Sequence, residues 1–161
     1  CPARSGTMRI LPSTGAWYGP GGSYPHAASD YACSQGTGNN GIISYQISFS
    51  EAYVTDGLSN TILLGDKRMD LMYLGQYQSD DNEGYTSGWD HDVVRRTDLN
   101  PMPDSRTGAG WGEERFGSSH PNGFMAAFGD GSVKFIAFSI DMNTFRALGT
   151  RSGGEVIPGN Y

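Results

Sequence analysis

Residues 120–138 constrain this chain more than any other stretch, because two apolar segments of strand length flank the pair Asp130-Gly131. An Asp-Gly pair suits a two-residue type I′ loop, in which both central residues take positive φ and glycine does so without steric cost. The stretch therefore predicts a β-hairpin. Along it Phe124, Ala126 and Phe128 point to one face and Met125 and Ala127 to the other, while Val133, Phe135 and Ala137 alternate with Lys134, Ile136 and Phe138. Both faces are largely apolar, which predicts a central hairpin with little solvent on either side.

The rest of the chain supplies material for one compact domain over 1–161: 37% of its 161 residues are hydrophobic and 12% aromatic. Its 24 glycines and 8 prolines, against 17% charged residues, describe short strands separated by turns more than a helical bundle. Residues 1–41, rich in Gly, Pro, Ser and Tyr, read as an irregular lobe, with the sheet in 42–161. Within the latter, 43–49 alternates apolar with polar and predicts a half-buried strand. Thr55-Asp56-Gly57 predicts a turn in which Ser59 and Asn60 offer side-chain oxygens to nearby amides, and 61–66 a second strand. Residues 75–118 form a long loop. Asp141 or Ser139 caps a short C-terminal helix carrying Met142, Phe145 and Leu148 and ending near Gly149. The order strand, strand, long loop, hairpin, short helix predicts an α+β domain on an antiparallel sheet.

A formal charge of −6 argues against nucleic acid as a partner, since phosphates call for clustered Lys and Arg. No apolar stretch approaches the roughly 20 residues that span a bilayer. No phosphate-binding glycine loop and no Gly-x-Ser-x-Gly elbow occur. The two cysteines, Cys1 and Cys33, lack the partners of a tetrahedral zinc site and predict a disulfide, with two unpaired thiols as the alternative; the bridge would remove roughly 3–4 kcal/mol of unfolded-chain entropy and imply an oxidising compartment.

Two constellations bear on chemistry. His120 precedes Asp130 by ten positions, but an extended strand between them, at about 3.3 Å per residue, separates the side chains by roughly 20 Å. That excludes a general-base pair. His120 then packs or hydrogen-bonds within its Ser-Ser-His-Pro turn, Asp130 and Gly131 form the hairpin loop, and a metal role is the remaining option for either side chain. The second is the acidic loop over 80–92, where Asp80, Asn82, Glu83, Asp90 and Asp92 offer the oxygens that calcium takes, and glycines let a loop wrap an ion. Tyr85 and His91 stand where an EF-hand needs Gly and Glu, so that site type is excluded; the alternative is ion pairing with Arg95, Arg96 or Arg115. Trp17, Tyr18, Tyr24, Trp89 and Trp111 sit in glycine-rich surroundings and serve either as plugs under long loops or as stacking surfaces for a sugar.

The landmarks Cys1-Pro2-Ala3-Arg4, Ser29-Asp30-Tyr31-Ala32, Thr55-Asp56-Gly57-Leu58-Ser59-Asn60-Thr61-Ile62-Leu63-Leu64-Gly65, His120-x9-Asp130-Gly131 and Arg151-Ser152-Gly153-Gly154-Glu155-Val156 together span nearly the whole sequence. In order and content they resemble the bacterial prepilin-type processing-associated H-x9-DG family, whose members begin with a type IV pilin-like signal and hydrophobic helix. Nothing in the present sequence resembles that helix, so no membrane contact is expected of these residues. The resemblance implies a pilin-like globular head at the bacterial cell surface or beyond it. It also implies a non-enzymatic structural subunit that self-associates into a filament or surface lattice, and pseudopilins often hold calcium in a loop of the head. The alternative is an extracytoplasmic solute- or glycan-binding module built on the exposed aromatics and acidic loop. A hydrolase hiding a carboxylate pair in 75–118 is a third reading.

Overall fold

The computed structural model of the chain describes residues 1, 3–4, 10–11, 25–159 and 161. Its strands in chain order are β1 (Ile10–Leu11), β2 (His26–Ala27), β3 (Tyr31–Gly36), β4 (Ile62–Asp66), β5 (Val94–Arg96), β6 (Gly123–Phe128) and β7 (Val133–Ala137), followed by the helix α1 (Met142–Gly149). Among the described residues β1 pairs with β2, and the other five form one sheet in the order β5-β3-β4-β6-β7. All neighbours in it are antiparallel except β3 and β5. The fold is α+β, as the element order predicts.

The hairpin forms between β6 and β7, with Phe124 opposite Ile136 and Ala127 opposite Val133. Its loop differs from the expected type I′ turn. Gly131 N–H donates to the Phe128 carbonyl (2.9 Å) and Phe128 N–H to the Ser132 carbonyl (2.9 Å), which makes a three-residue loop, 129–131, with the last residue bulged. Gly131 alone of the Asp-Gly pair has positive φ, at +83°. Asp130 instead turns its carboxylate onto the Ser132 N–H (2.9 Å) and hydroxyl (2.7 Å). The extra glycine at 129 supplies the third loop residue.

Inward-facing Phe124, Ala126, Phe128 and Ile136 meet Ile62, Phe116 and the α1 residues Phe145 and Leu148 in one buried cluster. Phe116 stacks on Phe124 with centroids 5.4 Å apart, and Phe145 stands edge-on to both at 6.3 and 6.2 Å, contacts worth roughly 0.5–1.5 kcal/mol each beyond area burial. The Asp141 carboxylate caps α1 by accepting from the Asn143 and Thr144 amides, both at 3.0 Å.

The opposite face of the sheet carries Tyr31, Cys33, Leu64, Met125, Ala127, Val133 and Phe135, and among the described residues it is half open. Here the expectation of a hairpin buried on both sides fails. β7 is an edge strand, Val133 is 61% exposed and Phe135 46%. Phe135 lies across Gly123, where an added Cβ would come within 2.5 Å of the ring.

Three further expectations are corrected. The lobe 1–41 is not irregular throughout, because it contributes β3 to the interior of the sheet, with Ala32, Ser34 and Gly36 buried. Residues 43–49 form no strand: Ser44 and Ile47 share a single bridge, Gln46 has positive φ, and Tyr45 and Ile47 point to solvent. The 75–118 loop contains the edge strand β5, set beside β3, with buried Val94 and Arg95.

Candidate functional site

His120 sits where the chain turns into β6. The Ser118 hydroxyl accepts from the His120 N–H (2.9 Å) and donates to the Gly123 carbonyl (2.7 Å), pinning the Ser-Ser-His-Pro turn as the sequence predicts. The ring is half-buried, and its Nε2 is buried with no hydrogen-bond partner. Asp130 lies beyond the far end of β6, engaged by Ser132, so the two signature residues do not act on one another.

Cys1 and Asp66 are what His120 does meet. Cys1 Sγ, a carboxylate oxygen of Asp66 and a ring nitrogen of His120 all lie within 4.8 Å of one another. Asp66 ends β4, 1% exposed; its Oδ2 accepts from the Met125 N–H (3.0 Å), while Oδ1 has no hydrogen bond and lies 3.5 Å from the Cys1 nitrogen. That nitrogen donates to Asp30 Oδ2 at 2.9 Å.

Buried Arg4 holds the Cys1 turn against the sheet. Its Nε and one terminal nitrogen each donate to Asp104 at 2.7 Å, another reaches Asp30 at 3.1 Å, and the Lys67 carbonyl also accepts from it. Asp104 in turn accepts from the Met69 N–H (2.9 Å) and the Ser119 hydroxyl (2.5 Å). One carboxylate therefore ties the opening residues to the segment after β4 and to the residue beside His120. A fork-shaped guanidinium on a carboxylate fixes direction as well as charge.

Both thiols are free, so the expected Cys1–Cys33 disulfide is corrected. Cys33 lies in β3 opposite Leu64, two residues along β4 from Asp66, and burial raises its pKa. Cys1 is instead directed to Asp66 and His120.

The acidic loop is built differently from the expected calcium site. Asp80, fully buried, accepts from the Gly112 N–H (2.9 Å), the Glu114 N–H (3.3 Å) and Arg95 (3.1 Å). Asp92 accepts from the amides of Asn82 and Glu83. Buried Lys67 reaches Asp81 at 2.6 Å and the Asp92 carbonyl at 2.9 Å. Asp90 accepts from the N–H of His91. Among the His, Cys, Asp and Glu side chains of the described residues, Cys1, Asp66 and His120 bring three metal-type donor atoms together, and Asp80, Glu83, Asp90 and Asp92 belong to no such group. Within the loop Asp81 is paired with Lys67 and Asp80 with Arg95. Desolvation dominates the electrostatics there: burial lowers the Lys67 pKa, and it raises that of Asp92 to about 6 although Lys67 and two amides oppose the shift.

Asp56 binds the closing landmark. Its carboxylate accepts from the Gly153 N–H (2.7 Å), the Gly154 N–H (2.9 Å) and the Thr150 hydroxyl (3.2 Å). Asn60 works in the opposite sense to the expected one, donating from its amide to the Asp56 carbonyl at 3.1 Å. Of the aromatics singled out from sequence, Trp17, Tyr18 and Tyr24 fall outside the described residues, Trp89 lies 6.1 Å from Tyr45 between centroids, and Trp111 is exposed. No helix among the described residues is long and apolar enough to cross a membrane.

A protein-family match covers residues 1–143, and its description is "Protein of unknown function (DUF1559)", with the short label SBP_bac_10. The chain belongs to this family. No curated protein and no solved structure matches it.

Sequence reasoning missed Asp66, Arg4, Lys67 and Asp104. A usable signal for two of them was present: an apolar strand running without a turn residue into Asp66-Lys67-Arg68-Met69-Asp70 has no room to place every charge in solvent.

Proposed function

We propose that this DUF1559 chain is the globular head of a non-enzymatic structural subunit that assembles, with copies of itself, into a filament or surface lattice outside the bacterial cytoplasm. The ordered landmarks that resemble the H-x9-DG pilin-like group support this reading. The observation that carries it is the outer sheet face: Tyr31, Val133 and Phe135 are exposed beside half-buried Leu64, Met125 and Ala127, and among the described residues β7 leaves one edge of the sheet unpaired. An apolar face continuous with an open edge is suited to cover by another polypeptide, since each large side chain it buries contributes roughly 1.5–3 kcal/mol. With both thiols free, the extracellular location rests on the resemblance and not on a disulfide.

Immunogold electron microscopy of the producing bacterium, with antibodies raised against this chain, tests the proposal. Gold along fibres or a surface layer is the expected result; gold confined to the cell interior overturns it. A Val133→Lys/Phe135→Lys variant should keep its circular dichroism spectrum and drop out of the sedimentable assembly. Unchanged incorporation would show that this face is not the contact.

A further inference from the structure

Three of the landmarks meet at one point. Cys1 belongs to the opening Cys-Pro-Ala-Arg, Asp66 directly follows the stretch that ends at Gly65, and His120 opens the H-x9-DG signature. Their side chains come from the first turn, the end of β4 and the entrance to β6, and place sulfur, oxygen and nitrogen mutually within 4.8 Å. Two of the three side chains carry a buried atom that makes no hydrogen bond: His120 Nε2, and Asp66 Oδ1, which has the Cys1 nitrogen at 3.5 Å. A buried polar atom that makes no hydrogen bond is costly to maintain, so it calls for a ligand.

We propose that Cys1, Asp66 and His120 bind a divalent zinc-type ion that cross-links these three parts of the fold. The donor set decides the ion class. Thiolate and imidazole select zinc over calcium or magnesium, which take all-oxygen shells, and a carboxylate is an ordinary third zinc ligand. The spacing suits it too: ligands about 2.0–2.3 Å from a tetrahedral ion lie roughly 3.3–3.8 Å apart, a modest contraction of the present cluster. A nucleophilic cysteine-histidine-carboxylate triad is a different geometry. There the imidazole stands between thiol and carboxylate, whereas here the three groups converge on one another and the Cys1 thiol is buried.

The partners needed to orient the ligands are in place. The Met125 amide holds Asp66 Oδ2, the Ser118 turn holds the His120 backbone, and Arg4 with Asp104 fixes the Cys1 turn. On binding, Cys1 gives up its thiol proton to solvent and coordinates as the thiolate. The bound ion would join the opening turn to the sheet, the task a disulfide to Cys33 was expected to perform.

The test is a zinc titration of the chelator-stripped chain against a chromophoric competitor, with cobalt as a spectroscopic substitute. One equivalent should bind, and saturation should raise the melting temperature by roughly 5–10 °C. Cobalt should give a thiolate charge-transfer band that disappears in Cys1→Ser and persists in Cys33→Ser. His120→Gln should weaken binding by about tenfold or more while leaving the circular dichroism spectrum unchanged. Absence of saturable one-to-one binding overturns the proposal. So does zinc affinity that survives His120→Gln, because chelation by Cys1 without the imidazole would explain it. If Cys1→Ser fails to fold, the charge-transfer band in the unmodified chain decides: its absence refutes thiolate ligation.

Discussion

Replacing Lys67 by methionine isolates the interaction on which the acidic loop depends. Lys67 is 0% exposed, its Nζ lies 2.6 Å from Asp81 Oδ1, and Asp81 is buried as well. At an effective dielectric constant of about 20, two unit charges at that separation attract by roughly 6 kcal/mol, much of which offsets the desolvation of both groups. Methionine fills nearly the same volume, so little cavity term arises. What it removes is the ammonium beside Asp81 and the donor to the Asp92 carbonyl (2.9 Å). Breaking one half of a buried pair costs about 3–5 kcal/mol, a large part of the roughly 5–15 kcal/mol by which such domains are stable. Urea denaturation followed by circular dichroism should show the midpoint falling by about 2 M at unchanged slope, and the melting temperature by roughly 6–20 °C. Asp81→Asn in the Lys67→Met background should recover part of the loss, giving a coupling energy above about 1 kcal/mol in the double-mutant cycle. A single-variant loss below about 1 kcal/mol would refute the reasoning, since the pair would then contribute no more than an exposed one.

Other consequences can be checked in the same assays. The Asp92 carboxyl has a folded-state pKa of about 6, above its ordinary 3.8, so the folded chain holds a proton that the unfolded chain releases. Its contribution is therefore full below about pH 4 and is lost as pH rises to about 6, lowering stability by up to roughly 3 kcal/mol across that window; Asp92→Asn should flatten this part of the stability-pH curve. Gly131→Val should cost about 1–2 kcal/mol or more by forcing a β-branched residue to φ near +83°, whereas Gly131→Asn should cost only a few tenths; nothing lies within 4 Å of an added Cβ, so equal losses would contradict a purely backbone origin. Asp56→Ala should cost roughly 2–3 kcal/mol, as two amides and a hydroxyl lose their acceptor, and should speed proteolysis within 151–161; an unchanged cleavage rate would show that the closing segment is held by other contacts.

Local patterning made the hairpin strands, β4 and the Asp141-capped helix legible, because each combines a clear period with its own turn or cap. β3 was hidden by its composition. Tyr-Ala-Cys-Ser-Gln-Gly has no β-branched residue, and its inward positions are the small Ala32, Ser34 and Gly36, chosen by close packing more than by hydrophobicity. β5 is three residues long and two of them are arginines; Arg95 is buried only because Asp80 and several carbonyls receive its guanidinium, a circumstance no periodicity encodes. The segment 43–49 has the opposite history, with a good alternating pattern and no sheet edge beside it. Alternation states which side a strand would bury and cannot supply the neighbour that makes it one.

The site was obscured for the same reason, since its members are brought together by topology and not by spacing. The sequence correctly separates His120 from Asp130, because a strand's length is local information. It gives no hint that β4, antiparallel to β6 and lying between β6 and β3, carries Asp66 to the end of the sheet where β6 begins and His120 waits. The register leaves no freedom here: Gly65 opposite Ala126 sets the next β4 residue within reach of the Met125 amide, and Asp66 takes it. A slip of one residue would turn Asp66 to the α1 face of the sheet and put an uncompensated carboxylate among Phe116, Phe124 and Phe145. The Asp66–Met125 bond therefore locks β4 in register, and in doing so it aims the remaining oxygen at Cys1 and His120. Asp66→Asn, which keeps the shape and one acceptor, separates these two duties: the sheet should survive it and zinc affinity should not.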